Sequence, residues 1–180
     1  MRVLGIDPGS VTSGYGIVDE EGSTISYVGC GGITSSSKLA FPERLKRIYD
    51  GLEAVIKEHR PEAVAVESIF FAKNVQSALK LGHARGVALL AAMNFDLPVF
   101  EYTALEIKQA VVGYGQAEKA QVQKMVMALL KVKSIPGPHD ASDALAAAIC
   151  HIHSARMKKV SIRSSSVCAT TMRPRSGATE

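Results

Sequence analysis

RVLGIDPGSVTSGYGIVDEEGSTISYVGCGGI, residues 2 to 33, decides the fold. Its first six residues are a short apolar run closed by Asp7-Pro8-Gly9-Ser10, a turn signal. SGYGIVDEEG then reads as a second strand ending in an acidic turn, and STISYVGCGGI as a third. Three successive strands with short connections predict an antiparallel meander. From Phe41 the period changes: Leu45, Ile48, Tyr49, Leu52, Val55 and Ile56 recur at three and four, with Pro42 near the first helical position and His59-Arg60-Pro61 at the end. That is an amphipathic helix. AVAVE, residues 63 to 67, is too short for a helix and too apolar for an exposed strand, so it is expected as a buried strand parallel to the first. Residues 74 to 93 predict a long helix rich in small residues, PVFEY (98 to 102) a fifth strand, and 104 to 112 and 118 to 131 two helices separated by Gly113-Tyr114-Gly115. A last helix follows Pro136-Gly137-Pro138, from about Asp140 to Met157. The order β-β-β-α-β-α-β-α-α-α implies an α/β fold: a five-stranded mixed sheet with helices on both faces.

At 180 residues with 47% hydrophobic composition, the chain has the size of one domain with a core large enough to fold unaided. No run approaches the ~20 apolar residues of a membrane span, and the start lacks a signal-peptide core, so a cytoplasmic protein is expected. Cys30, Cys150 and Cys168 are odd in number and lack Cys-x-x-Cys spacing, which suggests neither a disulfide framework nor structural zinc. The net charge of +4 is unevenly placed. From Arg156 onward six bases face only Glu180, leaving 15 bases and 16 acids in residues 1 to 155. Any DNA surface on the folded body must therefore be a local patch. One domain is expected to span 1–157, with 158–180 a solvated, basic, poorly ordered tail.

Four carboxylates stand where a site can form. Asp7 ends the first strand, Glu67 ends the buried fourth, and Asp140 and Asp143 begin the last helix, three apart and on one face. Ligands in open α/β sheets bind beyond the carboxyl ends of strands, where the connection direction changes, and strands one and four meet there. Clustered acids repel one another unless a cation is present. Oxygen-only ligands favour Mg²⁺ or Mn²⁺, and two such ions about 3.5–4 Å apart can activate a water and stabilise the leaving oxygen in an in-line attack on a phosphodiester. Each acid also has a local explanation. Asp7 fits an Asx-type turn, and Asp140 and Asp143 fit an N-cap and third-position acid. Glu67 is harder to explain locally, because a carboxylate after so buried a run is seldom left unpaired.

GIDPGSVTSGYGIV, VESIFFAKNVQSALKLGHARG, IKQAVVGYGQAEKAQVQKMV and HDASDALAAAICH together resemble the RuvC family of Holliday-junction resolvases. The resemblance runs from Met1 to about His153. It implies an RNase H-like fold, a homodimer with two active sites, Mg²⁺ dependence with two ions per site, and symmetric nicking of a four-way junction to leave 5′-phosphate and 3′-hydroxyl ends. It also implies roles in recombination and repair and cooperation with a branch-migration helicase complex. The family's four metal-binding acids correspond to Asp7, Glu67, Asp140 and Asp143. Some members carry histidine at the position of Asp140, and His139 stands beside it as a possible accessory group.

Two adjacent aromatics, Phe70 and Phe71, cannot both enter a core from one short loop. An exposed ring stacks on an unpaired base for about 1–3 kcal/mol, and packing of both rings in a core or dimer contact is the alternative. Phe70 matches the family's wedge position. Lys73, Asn74 and Arg85 are placed to contact phosphate. Lys108 and Lys119 flank the Gly113-Tyr114-Gly115 break, where their helices can bring both beside the acids, and they match basic substrate-binding residues of the family. Ala78, Gly82 and Gly86 recur at every fourth position of the 74 to 93 helix, a pattern that lets a second helix approach; it serves either a dimer interface or a plain core helix. Two other readings stay open at this stage. Gly-Ile-Asp-Pro-Gly-Ser also resembles the phosphate loop of actin-like kinases and ATPases, although no second such loop appears. A DNA-binding module without turnover would require all four acids to be caps and turn residues.

Overall fold

The computed structural model describes residues 1–68 and 74–170, with side chains as far as Met157. Ten elements follow in the expected order: β1 (Arg2–Asp7), β2 (Thr12–Glu21), β3 (Thr24–Thr34), α1 (Phe41–His59), β4 (Ala63–Ser68), α2 (Val75–Met93), β5 (Val99–Thr103), α3 (Ala104–Val112), α4 (Lys119–Leu130) and α5 (His139–Thr170). The sheet order is β3-β2-β1-β4-β5. The meander β1-β2-β3 is antiparallel, and β4 and β5 add in parallel to β1. Parallel pairing needs crossovers, which α1 and α2 supply.

Alternation along the strands divides the interior into two layers. Leu4 and Ile6 of β1, Ile17 of β2 and Val64 and Val66 of β4 pack against Ile48 and Leu52 of α1 and Ala84 and Ala88 of α2. Val3, Val18 and Ala65 point the other way, toward Ile107 of α3, Val122 and Val126 of α4, and Leu145 and Ile149 of α5. Burial of each large aliphatic side chain contributes roughly 1.5–3 kcal/mol, so both layers are needed to hold the sheet.

The helix ends follow local chemistry. Arg60 adopts a left-handed conformation (φ 48°) and closes α1 through its N–H to the Ile56 carbonyl; Gly113 (φ 97°) does the same for α3 through Gln109. At the last helix the structure departs from the periodicity. Helical backbone continues to Thr170, thirteen residues past Met157. Neither glycine nor proline occurs between His139 and Thr170, so nothing in the chain itself breaks the helix where the apolar pattern ends.

Candidate active site

Strand parity aims the first two acids. In the β1–β4 register Ile6 lies beside Val66, so Asp7 and Glu67 are next along neighbouring parallel strands. The odd-numbered positions of both strands, Val3 and Ala65, face the α5 layer. Asp7 and Glu67 therefore project from the sheet toward α5. The helix itself is brought down by glycine. Asp7 pairs across β1–β2 with Gly14, and a Cβ at Gly14 would stand 2.1 Å from the Asp140 carbonyl oxygen. A Cβ at Gly5 would stand 1.8 Å from the Ala144 carbonyl oxygen. Bare backbone at these positions lets the first turns of α5 lie directly on β1 and β2.

The result is convergence. One carboxylate oxygen from each of Asp7, Asp140 and Asp143 lies within 4.8 Å of the others, and all three residues are half-buried. Glu67 flanks this trio and lines a partly open cleft of about 270 Å³ with Ile107, Lys108, Lys119 and Asp143. Lys119 Nζ contacts Asp143 Oδ2 at 2.5 Å. The hydrogen bond from this ammonium to Asp143, opposed by partial burial, holds the lysine above its ordinary range. Burial, reinforced by Asp143, Glu67 and Asp140, pushes the Asp7 carboxyl up to about 7, with Lys119 opposing. Burial and then Asp143 raise Glu67, against the pull of Lys119 and Lys108. This is the electrostatic signature of acids gathered for a cation: half-buried, mutually repelling, and presenting only hard oxygen donors. These residues fit a divalent ion of the Mg²⁺ or Mn²⁺ kind.

The local explanations for the acids do not hold. Among the described residues no side-chain hydrogen bond ties Asp7 into a turn or makes Asp140 or Asp143 a cap, and the Ala141 N–H donates instead to the Pro138 carbonyl. His139 is exposed and stands outside the trio. Lys108 and Lys119 are brought beside the acids. Asn74 caps α2, its Oδ1 accepting from the N–H groups of Gln76 (2.9 Å) and Ser77 (3.4 Å). Arg85 is paired with Glu101 of β5. Phe70 and Lys73 lie outside the described residues. His151 and His153 are engaged away from the acids, their Nδ1 atoms 2.8 Å from Tyr102 Oη and from the Ala110 carbonyl respectively. SGYGIV reads in the sequence as a strand and nothing more. The Gly-x-Gly within it was the available signal that another backbone approaches closely there.

Comparison with known proteins gives one answer. The family model described as crossover junction endodeoxyribonuclease RuvC matches residues 3–151. The crossover junction endodeoxyribonuclease RuvC of Geobacter sp. (strain M21) is 58% identical over 157 residues, covering 87% of this chain and 95% of the relative. That of Alkaliphilus oremlandii is 52% identical over 153 residues, covering 85% and 93%. Among solved structures, T. thermophilus RuvC in complex with Holliday junction substrate superposes with a TM-score of 0.83 at 38% identity, covering 88% of this chain and 96% of that one. The yeast mitochondrial Holliday junction resolvase shares the fold at a TM-score of 0.61 and 14% identity, covering 84% and 77%. The five-stranded mixed sheet is thus RNase H-like, and the chain belongs to the RuvC family of crossover junction endodeoxyribonucleases.

Proposed function

We propose that this chain is a metal-dependent endodeoxyribonuclease that resolves four-way DNA junctions by paired, symmetric nicks in recombination and repair. The observation that carries the reading is the trio Asp7, Asp140 and Asp143, with oxygens within 4.8 Å, set beside a cleft lined by Glu67 and two lysines. Asp7, Glu67, Asp140 and Asp143 would hold two Mg²⁺ ions, or Mn²⁺ in their place; these supply an activated water and neutralise charge on the phosphate. The chain's own contribution is positional. Strand ends fix Asp7 and Glu67, the glycine-supported helix fixes Asp140 and Asp143, and Lys119 and Lys108 bring positive charge to the side from which a phosphate enters the cleft. Of the remaining residues, Phe70 is assigned to DNA contact by its match to the family's wedge position, and Lys73, Asn74 and Arg85 to phosphate contact by their place in the chain, Arg85 being paired here with Glu101. Asn74 Oδ1 is occupied as a cap, so its amide nitrogen is the group left for phosphate.

A second copy belongs on α2. Its Ala84, Ala88, Ala91 and Ala92 are buried against the core, while Val75, Leu79, Leu90 and Met93 are each more than half exposed. Between them runs an open groove of about 490 Å³ lined by Leu45, Leu79, His83, Val87 and Leu90. A Cβ at Gly82 or Gly86 would meet nothing within 4 Å. A helix apolar on both sides needs cover on both sides, and a two-fold dimer supplies two cutting sites for a substrate with near two-fold symmetry. Cooperation with a branch-migration helicase complex in the cytoplasm follows from the family resemblance; no helix among the described residues is long and apolar enough to cross a membrane.

The test is a synthetic four-way junction incubated with the full chain and Mg²⁺. Paired nicks at symmetric positions are expected, with Asp7→Asn and Glu67→Gln binding the junction without cutting it. Junction binding without any cleavage by the unmodified chain would leave a binding module instead, and ATP hydrolysis would favour the kinase-like reading of the Asp7 loop.

A further inference from the structure

Arg44 stands in the first turn of α1, at the same end of the sheet as the acids but on the opposite face from Lys108 and Lys119. Its guanidinium is anchored on two sides. Nη1 donates to the Ser10 carbonyl at 3.3 Å, in the loop that leaves Asp7, and the cation lies over the Phe41 ring, 5.2 Å from the centroid. Phe41 is itself fixed edge-on against His83 of α2, with centroids 5.6 Å apart. Ser10 is three Cα steps from Asp7, which limits their Cα separation to about 11 Å.

No carboxylate among the described residues answers the charge of this group: Arg44 enters no ion pair with any of them. Its Nε is buried without a hydrogen-bond partner. Arg85 makes the contrast: its Nε is also buried and unpartnered, yet its cation is neutralised by Glu101. A half-buried guanidinium held by one long hydrogen bond and a ring face, with no described carboxylate paired to it, has the form of a receptor for an anion that comes from outside. Nη2 has no hydrogen-bond partner among the described residues and, unlike Nε, is open to solvent, so it is the nitrogen an incoming anion meets first.

We propose that Arg44 binds a backbone phosphate of the substrate strand on the Ser10 side of the acid cluster. The inference rests on the nuclease reading above. A strand laid across the acids then meets positive charge on both flanks, Lys108 and Lys119 toward α3 and α4, and Arg44 toward α1. One phosphate sits at the acids while another is held by a guanidinium already fixed to the loop that carries Asp7. Recognition is of phosphate and carries no base sequence.

The experiment measures binding of a fluorescent synthetic four-way junction to the full chain in EDTA across a series of KCl concentrations, for wild type, Arg44→Ala and Arg44→Lys. Arg44→Ala is expected to weaken binding by roughly tenfold and to lower the slope of log K against log salt by about 0.7–0.9 for each protomer engaged, one counterion-releasing contact apiece. Arg44→Lys, which keeps the charge, should retain the slope and lose only part of the affinity. If Arg44→Ala does not fold, Arg44→Gln keeps a donor for Ser10 without the charge and is read the same way. An unchanged slope in a folded Arg44→Ala or Arg44→Gln protein, with a lowered melting temperature, overturns the proposal and makes Arg44 a structural strap on the loop. Failure of the wild type itself to bind the junction overturns the nuclease reading, and is distinguishable because no slope is then measured.

Discussion

Asp7→Asn should stabilise the metal-free chain, and the gain should grow with pH. Asp7 is held at about 7 in the fold against an ordinary aspartate value of 3.8, chiefly by burial and then by Asp143, Glu67 and Asp140. Between those values the unfolded chain has lost the proton while the folded chain keeps it. The contribution of this group to stability is thus fully present below 3.8, falls as pH rises, and is gone above 7. At 1.36 kcal/mol per pH unit the loss reaches about 1 kcal/mol at pH 4.5 and about 4 kcal/mol at pH 8.5. Asparagine has nearly the same shape and no charge at any pH, so it escapes this loss. In EDTA the variant should gain about 1 kcal/mol over wild type at pH 4.5 and up to about 4 kcal/mol at pH 8.5. For a chain of this size that upper gain raises the melting temperature by roughly 8–16 °C. Urea and thermal unfolding at the two pH values measure it. A hard divalent cation should then stabilise the wild type at pH 8.5 and help the variant less, because a ligand and the repulsion it relieves have both been removed. The same gain at both pH values, or a less stable variant at pH 8.5, would refute the account of Asp7 as a carboxylate held against its neighbours.

Three further outcomes are expected. Gly14→Ala places a Cβ 2.1 Å from the Asp140 carbonyl oxygen and 2.8 Å from the Ala141 nitrogen, both backbone atoms that cannot swing aside. The first turn of α5 must lift, at a cost of about 1–3 kcal/mol, and cleavage should fall steeply while junction binding in EDTA persists. Lys119→Ala removes the cation bonded to Asp143 and should reduce single-turnover cleavage on the order of 10²-fold at saturating junction; a change confined to the salt dependence of binding would make Lys119 a remote phosphate contact. Leu79→Asp puts a charge at the rim of the α2 groove and should leave a folded monomer by sedimentation; an unaltered oligomeric state would move the interface elsewhere.

Most of the fold could be read from period and punctuation because the elements announce themselves locally. The change from strand alternation to helical spacing at Phe41, and the glycine break at 113–115, fall where the structure has them. The exception is the end of α5. There the apolar pattern stops near Met157, yet residues 158–170 contain no breaker and the helix continues. Periodicity records which face is buried, and where the apolar pattern stops it no longer marks a helix.

The site was legible as a set of residues but not as an arrangement. Asp7, Asp140 and Asp143 each had an adequate local explanation, and what removes it is a contact between residues more than 120 positions apart, made possible by the missing side chain of Gly14. Arg44 shows the same limit, since nothing near it in sequence indicates that it reaches the Ser10 carbonyl. The energetics argue for function more firmly than the residue types do. Caps and turn residues hold a chain together, whereas the Asp7 carboxyl is pushed up to about 7, chiefly by burial and then by Asp143, Glu67 and Asp140, so the metal-free fold holds it against its ordinary ionisation. Parity, register and two close glycine contacts all serve to hold these acids together. An arrangement that costs the fold stability, and that so many independent features maintain, is accounted for by what the acids bind and not by what they do for the fold.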